Sequence, residues 1–143
     1  MIGIVVTGHG YFADGITSSM ELIIGAQSDY QKVNFPQATD PETLGKDLHE
    51  ALNKLSSCER VIICCDLFHG TPFNQAMMLA LTVEYVDVIY GINVGMLMEL
   101  LMNRMQNMNY ELMLNAALET GRQQIGRFLP EELPQVDEDD PFL

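Results

Sequence analysis

Basic residues and cysteines are scarce in this sequence. Lys and Arg number 7 against 20 Asp and Glu, which gives a formal net charge of −13. Such a chain repels nucleic-acid phosphates and anionic membrane surfaces, so we expect neither nucleic-acid binding nor direct membrane insertion. The cysteines Cys58, Cys64 and Cys65 are odd in number and show no C-x-x-C spacing. Because two of them lie in an apolar run, we expect them in the core rather than in disulfides or a metal site.

Targeting signals and nucleotide-binding motifs are also missing. The N-terminus has no basic region, and its apolar run is too short for a signal peptide or a membrane span. A cytoplasmic location is the simplest expectation. The sequence contains neither a Walker A motif nor G-x-G-x-x-G. We therefore expect no nucleotide fold, no cofactor and no metal.

The length and composition indicate one folded domain followed by a tail. The chain has 143 residues, of which 48% are hydrophobic and 19% charged, as in ordinary globular proteins. Its end differs, because residues 130–143 contain six acids and three prolines with almost no helical periodicity. We expect a domain over residues 1–129 and a solvated acidic tail over residues 130–143.

Buried-strand patterns alternate with helical patterns along this domain. Alternation of this kind predicts right-handed crossovers, and therefore a doubly wound α/β fold whose mainly parallel sheet has helices on both faces. The expected strands are 2–6, 31–35, 60–65 and 86–90, and the expected helices are 12–24, 41–55, one beginning at Thr71 and Pro72, 96–105 and 110–124.

Two reactive residues follow predicted strands. His9 comes after the first strand, between Gly8 and Gly10, and Asp66 follows the strand that ends at Cys65. The carboxyl ends of parallel strands meet at one sheet edge, with neighbouring strands about 4.8 Å apart. A carboxylate that holds one ring N–H of a histidine leaves the other nitrogen as a nucleophile. The alternative is a glycine turn in which His9 is incidental.

A candidate anion site comes after Asp66. The segment from Gly70 through Thr71 and Phe73 to Asn74 begins a predicted helix, whose unpaired N–H groups and partial positive charge favour a phosphate. We expect Thr71 to cap this helix, with its hydroxyl also available to the anion. His69 could be a second ligand or a positive neighbour of the phosphate, but an exposed loop position is the simplest expectation.

Three segments together resemble the landmarks of the IIA component of mannose-family sugar phosphotransferase systems. They are Thr7-Gly8-His9-Gly10, the stretch from Asp66 to Asn74, and the stretch from Gly91 to Leu97, and the resemblance extends from Met1 to about Phe128. The resemblance implies that His9 takes a phosphoryl group from the phosphohistidine of the carrier protein HPr and passes it to the IIB component. It also implies that Asp66 orients the His9 ring, and that Thr71 and the adjoining helix N-terminus hold the phosphoryl oxygens.

The resemblance further implies a homodimer in which a C-terminal strand is exchanged between subunits, and residues 125–129 lie where that strand would fall. Two residues depart from the family pattern. His69 stands where the family commonly has glycine, and Gly95 where many members have proline. The sequence does not identify the transported sugar.

Three other functions fit parts of the pattern. One is a subunit of the phosphotransferase-dependent dihydroxyacetone kinase, and another is a module that binds an anion without a covalent step. The third is a receiver-like module phosphorylated on Asp66, although it lacks the acidic cluster that would bind magnesium.

Methionine is concentrated late in the chain, with six of the ten residues between Met96 and Met113. Their spacing is not confined to one helix face, which predicts a protein interface, with core packing as the alternative.

Overall fold

The strands and helices alternate as the sequence predicts. In this computed structural model, which describes residues 1–131, the elements are β1 (Ile2–His9), α1 (Phe12–Ile24), β2 (Tyr30–Phe35), α2 (Pro41–Lys54), β3 (Arg60–Cys65), α3 (Thr71–Thr82), β4 (Val86–Ile89), α4 (Val94–Met105) and α5 (Tyr110–Gln123). Apart from its first two residues, the predicted acidic tail over 130–143 lies outside the described residues.

The four strands form one parallel sheet in the order β2-β1-β3-β4. Strand β1 is central and pairs with both β2 and β3, so its carboxyl end lies beside theirs. Its residues Ile4 to Val6 are completely buried, as expected for a strand covered on both faces. The prediction of a doubly wound, parallel α/β fold is confirmed.

Side chains of the strands alternate between two cores. On one face, Ile4 and Val6 pack in a cluster with residues of α1, α4 and α5. On the other face, Val5 and Ile63 pack with residues of α2 and α3. This period of two is the geometry of an extended chain. The three cysteines are buried and unpaired, with Cys64 in the first cluster and the other two in the second, which confirms the prediction of core packing.

Three of the six clustered methionines pack inside the domain. Met96 and Met98 on α4 and Met113 on α5 are buried in the core cluster that α1, α4 and α5 share. A protein interface stays a prediction for the exposed methionines, but core packing, the alternative, holds for these three. The reason is that α4 is enclosed from several directions, by the sheet, by α1 and by α5. Met105 and Met108 do remain exposed.

Strand β1 is longer than the sequence pattern indicates. We expected it to stop at Val6, but its pairing with β2 continues until His9 lies opposite Phe35. Beyond it, Gly10 and Phe35 exchange two backbone hydrogen bonds of 2.7 and 2.9 Å. The turn comes only at Gly10, where φ is +59°. His9 is thus the last residue of the strand and does not follow it, because partner hydrogen bonds outweigh the local preference of Gly8 for a turn.

The start of α2 is as predicted. Its N-cap Asp40 accepts a 2.7 Å hydrogen bond from the Thr43 N–H, and this bond lowers the pKa of the carboxyl.

The candidate exchange segment is largely exposed and forms no strand. Residues 125–129 follow α5 and pair with none of the four strands in the described part of the chain. Strand exchange between subunits therefore stays a prediction. Within residues 1–131, none of the helices combines the length and the apolar character needed to cross a membrane.

Candidate functional site

His9 and Asp66 meet at the carboxyl edge of the sheet, because β1 and β3 are neighbours. The Nδ1 atom of His9 lies 2.8 Å from Oδ2 of Asp66, and the backbone N–H of His9 donates to the same oxygen at 2.9 Å. The other carboxylate oxygen accepts the N–H of Leu67, also at 2.9 Å. Three hydrogen bonds therefore hold the Asp66 carboxylate in one orientation against the ring.

This contact determines which ring nitrogen of His9 is free. An ionised carboxylate only accepts hydrogen bonds, so Nδ1 carries the proton and Nε2 keeps its lone pair. The His9 side chain is 45% exposed, whereas that of Asp66 is 12% exposed. The ring nitrogen that keeps its lone pair therefore belongs to a partly exposed side chain, while its orienting carboxylate is largely covered.

Two glycines allow the elements to close around this pair. A Cβ atom at Gly8 would lie 2.5 Å from Phe12 Cδ1 and 2.8 Å from Asp66 Cγ. A Cβ atom at Gly70 would lie 2.9 Å from Cε1 of the His9 ring, and φ at Gly70 is +90°. A larger residue at either position would displace part of the His9–Asp66 pair.

The N-terminus of α3 adjoins His9 through Gly70. Gly70 is the N-cap, Thr71 is the first helical residue, and no side chain caps the helix. The prediction that Thr71 is the cap is therefore wrong. Gly70 takes the capping position because its left-handed φ suits glycine. The hydroxyl of Thr71 makes no capping bond and is available to a ligand.

Backbone donors are also available at this helix end. The first intrahelical hydrogen bond runs from the Asn74 N–H to the Gly70 carbonyl at 2.9 Å. The N–H groups of Thr71 and Phe73 precede it, and helix geometry gives such groups no intrahelical partner. They lie where an anion gains from the positive end of the helix dipole. The Asn74 side chain is exposed on the same turn.

An aromatic cluster continues from this turn. The His69 ring lies 3.8 Å from that of Phe68, and Phe68 lies 4.5 Å from Tyr90, measured between centroids. Phe73 meets Tyr90 edge to face at 5.6 Å. We call Phe68, His69, Phe73 and Tyr90 the aromatic ledge. Sequence reasoning missed Phe68 and Tyr90, because no local pattern indicates that the loops after β3 and β4 touch.

His69 occupies an exposed loop position with a left-handed backbone. Its φ is +65°, which is unfavourable for a residue with a Cβ by about 1 to 2 kcal/mol. Aromatic pairs contribute about 0.5 to 1.5 kcal/mol each beyond buried area, so its tilted contact with the Phe68 ring can offset the strain. The expectation of an exposed loop residue is confirmed.

Other reactive side chains lie outside this arrangement. His49 is exposed on α2 and lines a groove of about 940 Å³ between α2 and α3. Burial raises the pKa of Cys65 to about 12, so this neighbour of Asp66 is a neutral thiol at physiological pH. Within residues 1–131, no group of three or more His, Cys, Asp or Glu side chains could hold a metal ion.

Comparison with curated proteins finds relatives that are similar over most of this chain. The mannose-specific EIIAB component of Escherichia coli (strain K12) is 32% identical over 122 residues, which are 85% of this chain and 38% of that protein. The chain thus spans well under half of that relative. The fructose-specific EIIA component of Bacillus subtilis (strain 168) is 30% identical over 101 residues, or 71% of this chain and 69% of the relative.

Solved structures share the whole fold. Phosphotransferase system component EIIA from Streptococcus agalactiae superposes with a TM-score of 0.81 at 28% identity, covering 89% of this chain and 97% of that one. The PTS IIA protein associated with the fucose utilization operon of Streptococcus pneumoniae gives a TM-score of 0.75 at 25% identity, with coverages of 87% and 96%.

The family comparison agrees with both the sequence landmarks and the fold. Residues 3–118 match the family model EIIA-man, described as PTS system fructose IIA component. The match covers most of the chain and includes His9, Asp66 and the N-terminus of α3. It confirms the resemblance drawn from the sequence motifs: the chain belongs to the EIIA-man family of sugar phosphotransferase system IIA components.

Proposed function

We propose that this chain is a phosphoryl-transfer protein of a sugar phosphotransferase system. In this proposal His9 accepts a phosphoryl group from the phosphohistidine of HPr and passes it to a histidine of the IIB component. The observation that carries the proposal is the contact of His9 Nδ1 with Asp66, which leaves Nε2 free at an exposed edge of the sheet. Membership of the EIIA-man family supports the same chemistry.

The transfer is a displacement at phosphorus. The lone pair of His9 Nε2 forms the new N–P bond, while the N–P bond of the donor breaks and its electron pair returns to the donor imidazole. Onward transfer repeats the step, with His9 as the leaving group. The His9 ring gains positive charge as its N–P bond forms, and Asp66 stabilises this charge while holding the Nδ1 proton.

The N-terminus of α3 holds the phosphoryl oxygens in this proposal. The N–H groups of Thr71 and Phe73 and the Thr71 hydroxyl are the donors, and exposed Asn74 can add its side-chain amide. Gly70 permits the close approach of this helix to the ring. No metal or other cofactor takes part, since helix dipole and hydrogen bonds supply the stabilisation of charge.

We further propose that residues 1–129 are the mannose-type EIIA domain, that residues 130–143 are an acidic tail, and that the protein works in the cytoplasm with HPr and IIB. A homodimer formed by exchange of residues 125–129 fits the exposure of Ile125 and Phe128. In this arrangement the exchanged strand would pair with the edge of the partner subunit's sheet.

Incubation with phosphorylated HPr tests the function. Wild-type protein should gain one phosphoryl group, His9→Ala should gain none, and the matched control His49→Ala should gain one. The linkage should be labile in acid and stable in base, as a phosphoramidate is. Labelling that persists in His9→Ala contradicts the proposal, and a linkage stable in acid but labile in base points to Asp66 and the receiver-like alternative.

A further inference from the structure

The carboxyl edge of the sheet carries little positive charge. None of the four loops that follow the strands contains Lys or Arg. These loops are residues 10–11, 36–40, 66–70 and 90–93. Their two carboxylates are already engaged, because Asp40 caps α2 and Asp66 holds the His9 ring. A phosphoryl group on His9 would add about −1.5 to −2 charges to an edge whose loops supply no permanent cation to balance it.

His69 is the only side chain on these four loops that can gain a positive charge. It is exposed, and it directly precedes Gly70, the N-cap of α3. A Cβ atom at Gly70 would lie 3.2 Å from Nε2 of His9. Since consecutive Cα atoms are about 3.8 Å apart, the Cα atom of His69 lies within about 9 Å of that nitrogen. Charges interact over this distance without contact, so His69 can act on a group bonded to Nε2.

The His69 ring lies among aromatic side chains. Its centroid is 3.8 Å from that of Phe68 and 6.1 Å from that of Phe73. Aromatic rings attract a cation within about 6 Å, so these neighbours are compatible with a charged imidazole. The backbone at His69 is strained, with φ at +65°, and strain of this kind is concentrated at functional sites. A glycine would relieve the strain but would supply no charge.

Few charged or titratable groups surround His69. On the adjoining elements they are Asp66 on its own loop, His9 at the end of β1 and Tyr90 after β4. Helix α3 adds none, since residues 71–82 contain no charged side chain. The neighbouring helices carry two ion pairs of 3.8 Å, which are Glu42–Lys46 on α2 and Glu119–Arg122 on α5. Because those cations have carboxylate partners, the charge of a phosphoryl group is left to His69 and to the dipole of α3.

We propose that protonated His69 is the counter-ion of the phosphoryl group on His9, and that phosphorylation of this chain is coupled to the uptake of a proton from solvent by His69. This inference rests on the proposed function. A doubly negative group draws a proton to a nearby imidazole, and the imidazolium in turn stabilises the phosphorylated form. That form then holds more protons than the free form. A fall in pH through the range in which imidazoles titrate, near about 6.5, therefore favours phosphorylation of His9.

Proton NMR of the three imidazoles of the chain tests the coupling directly. The protein is phosphorylated with phosphoramidate, which needs no partner protein, and is titrated beside the free protein from about pH 5.5 to 8.5. The titration midpoint of His69 should rise by about 0.5 to 1 pH unit on phosphorylation, the effect of a charge of about −2 at about 8 to 10 Å in a water-like dielectric. His49, in the middle of α2, is the control in the same spectra and should move by less than about 0.1 unit.

The phosphotransfer equilibrium with HPr gives a second test. His69→Phe keeps an aromatic ring without a charge, and His69→Lys keeps a cation throughout this pH range. The equilibrium constant of wild type divided by that of His69→Phe should be near 1 at about pH 8.5 and should reach about 3 to 10 at about pH 5.5. Any titration of HPr or of His9 cancels in this ratio. His69→Lys should exceed His69→Phe by a similar factor at both pH values.

Three results would overturn the inference. They are a His69 midpoint that does not move on phosphorylation, a ratio that is constant across the pH range, and a His69→Lys protein that matches His69→Phe. A purely structural role for His69 predicts the constant ratio. Failure of the proposed function has a different signature, because wild type would then gain no phosphoryl group from HPr, or His9→Ala would still be labelled.

Discussion

Replacing Asp66 by Asn tests the central contact of the site with almost no change in size. The carboxylate accepts three hydrogen bonds, from His9 Nδ1, from the His9 backbone N–H and from the Leu67 N–H. An amide has only one oxygen for these bonds. If its oxygen faces His9, its NH2 group opposes the Leu67 N–H. If it is turned around, the NH2 group opposes the backbone N–H of His9 and selects the tautomer protonated on Nε2.

Both orientations of the amide lower the stability of the fold, and both remove the negative charge beside the His9 ring. An unsatisfied donor costs about 1 to 3 kcal/mol, so Asp66→Asn should unfold at a lower denaturant concentration but still fold. Phosphoryl transfer should slow by about 10² to 10⁴, because the wrong tautomer lacks a lone pair on Nε2 and the charge that develops on the ring is no longer stabilised. This factor corresponds to about 3 to 5 kcal/mol.

The assay is a quenched time course of phosphorylation by phosphorylated HPr, with nitrogen NMR of the imidazole to read the tautomer. Asp14→Asn is the matched control, since Asp14 is a half-exposed carboxylate paired with Lys32 at 3.4 Å and such pairs contribute about 0 to 1 kcal/mol. Asp14→Asn should transfer at the wild-type rate. A folded Asp66→Asn protein that also transfers at that rate would refute the role assigned to the His9–Asp66 pair.

Three further predictions follow from contacts, burial and the exposed C-terminal segment. Gly70→Ala should slow phosphorylation and lower the free energy of unfolding, measured by denaturant titration, by about 1 kcal/mol or more, because its Cβ would press on the His9 ring. The control is Gly15→Ala, in open space on α1, which should raise the free energy of unfolding by about 0.5 to 1 kcal/mol. Burial raises the pKa of Cys65 from 9.0, and that of Tyr30 from 10.0, to about 12. Their neutral forms favour the folded state, so the stability that these two groups contribute should be constant between about pH 6 and pH 8 and should fall as pH rises toward 12, by up to about 1.4 kcal/mol per unit for each group. A free energy of unfolding that stays flat from about pH 8 to 12 in chemical denaturation would contradict this. Deleting everything after Gln124 should give a monomer or insoluble protein, while deleting only residues 135–143 should leave a dimer. Light scattering measures both; a soluble dimer that lacks residues 125–129 would exclude strand exchange as the main contact.

Local patterns in the sequence were sufficient to predict the strands and helices and the approximate position of the site. Buried strands, amphipathic helices and the cap at Asp40 are encoded by residues that are neighbours along the chain, and they were predicted to within a few positions. The meeting of His9 and Asp66 could be anticipated too, since parallel strands bring their carboxyl ends to one edge. The family could be recognised because its landmarks lie in short continuous segments.

Tertiary structure decided the features that depend on contacts between distant segments. Strand β1 reaches His9 because β2 supplies hydrogen-bond partners there, and α4 is buried because α1 and α5 enclose it. Gly70 rather than Thr71 caps α3, since the path of the loop after Asp66 requires a left-handed residue at that point. The aromatic ledge exists only because the order of β3 and β4 in the sheet brings Tyr90 against Phe68. Such contacts are absent from the local sequence because the two residues are separated by a whole helix and a strand.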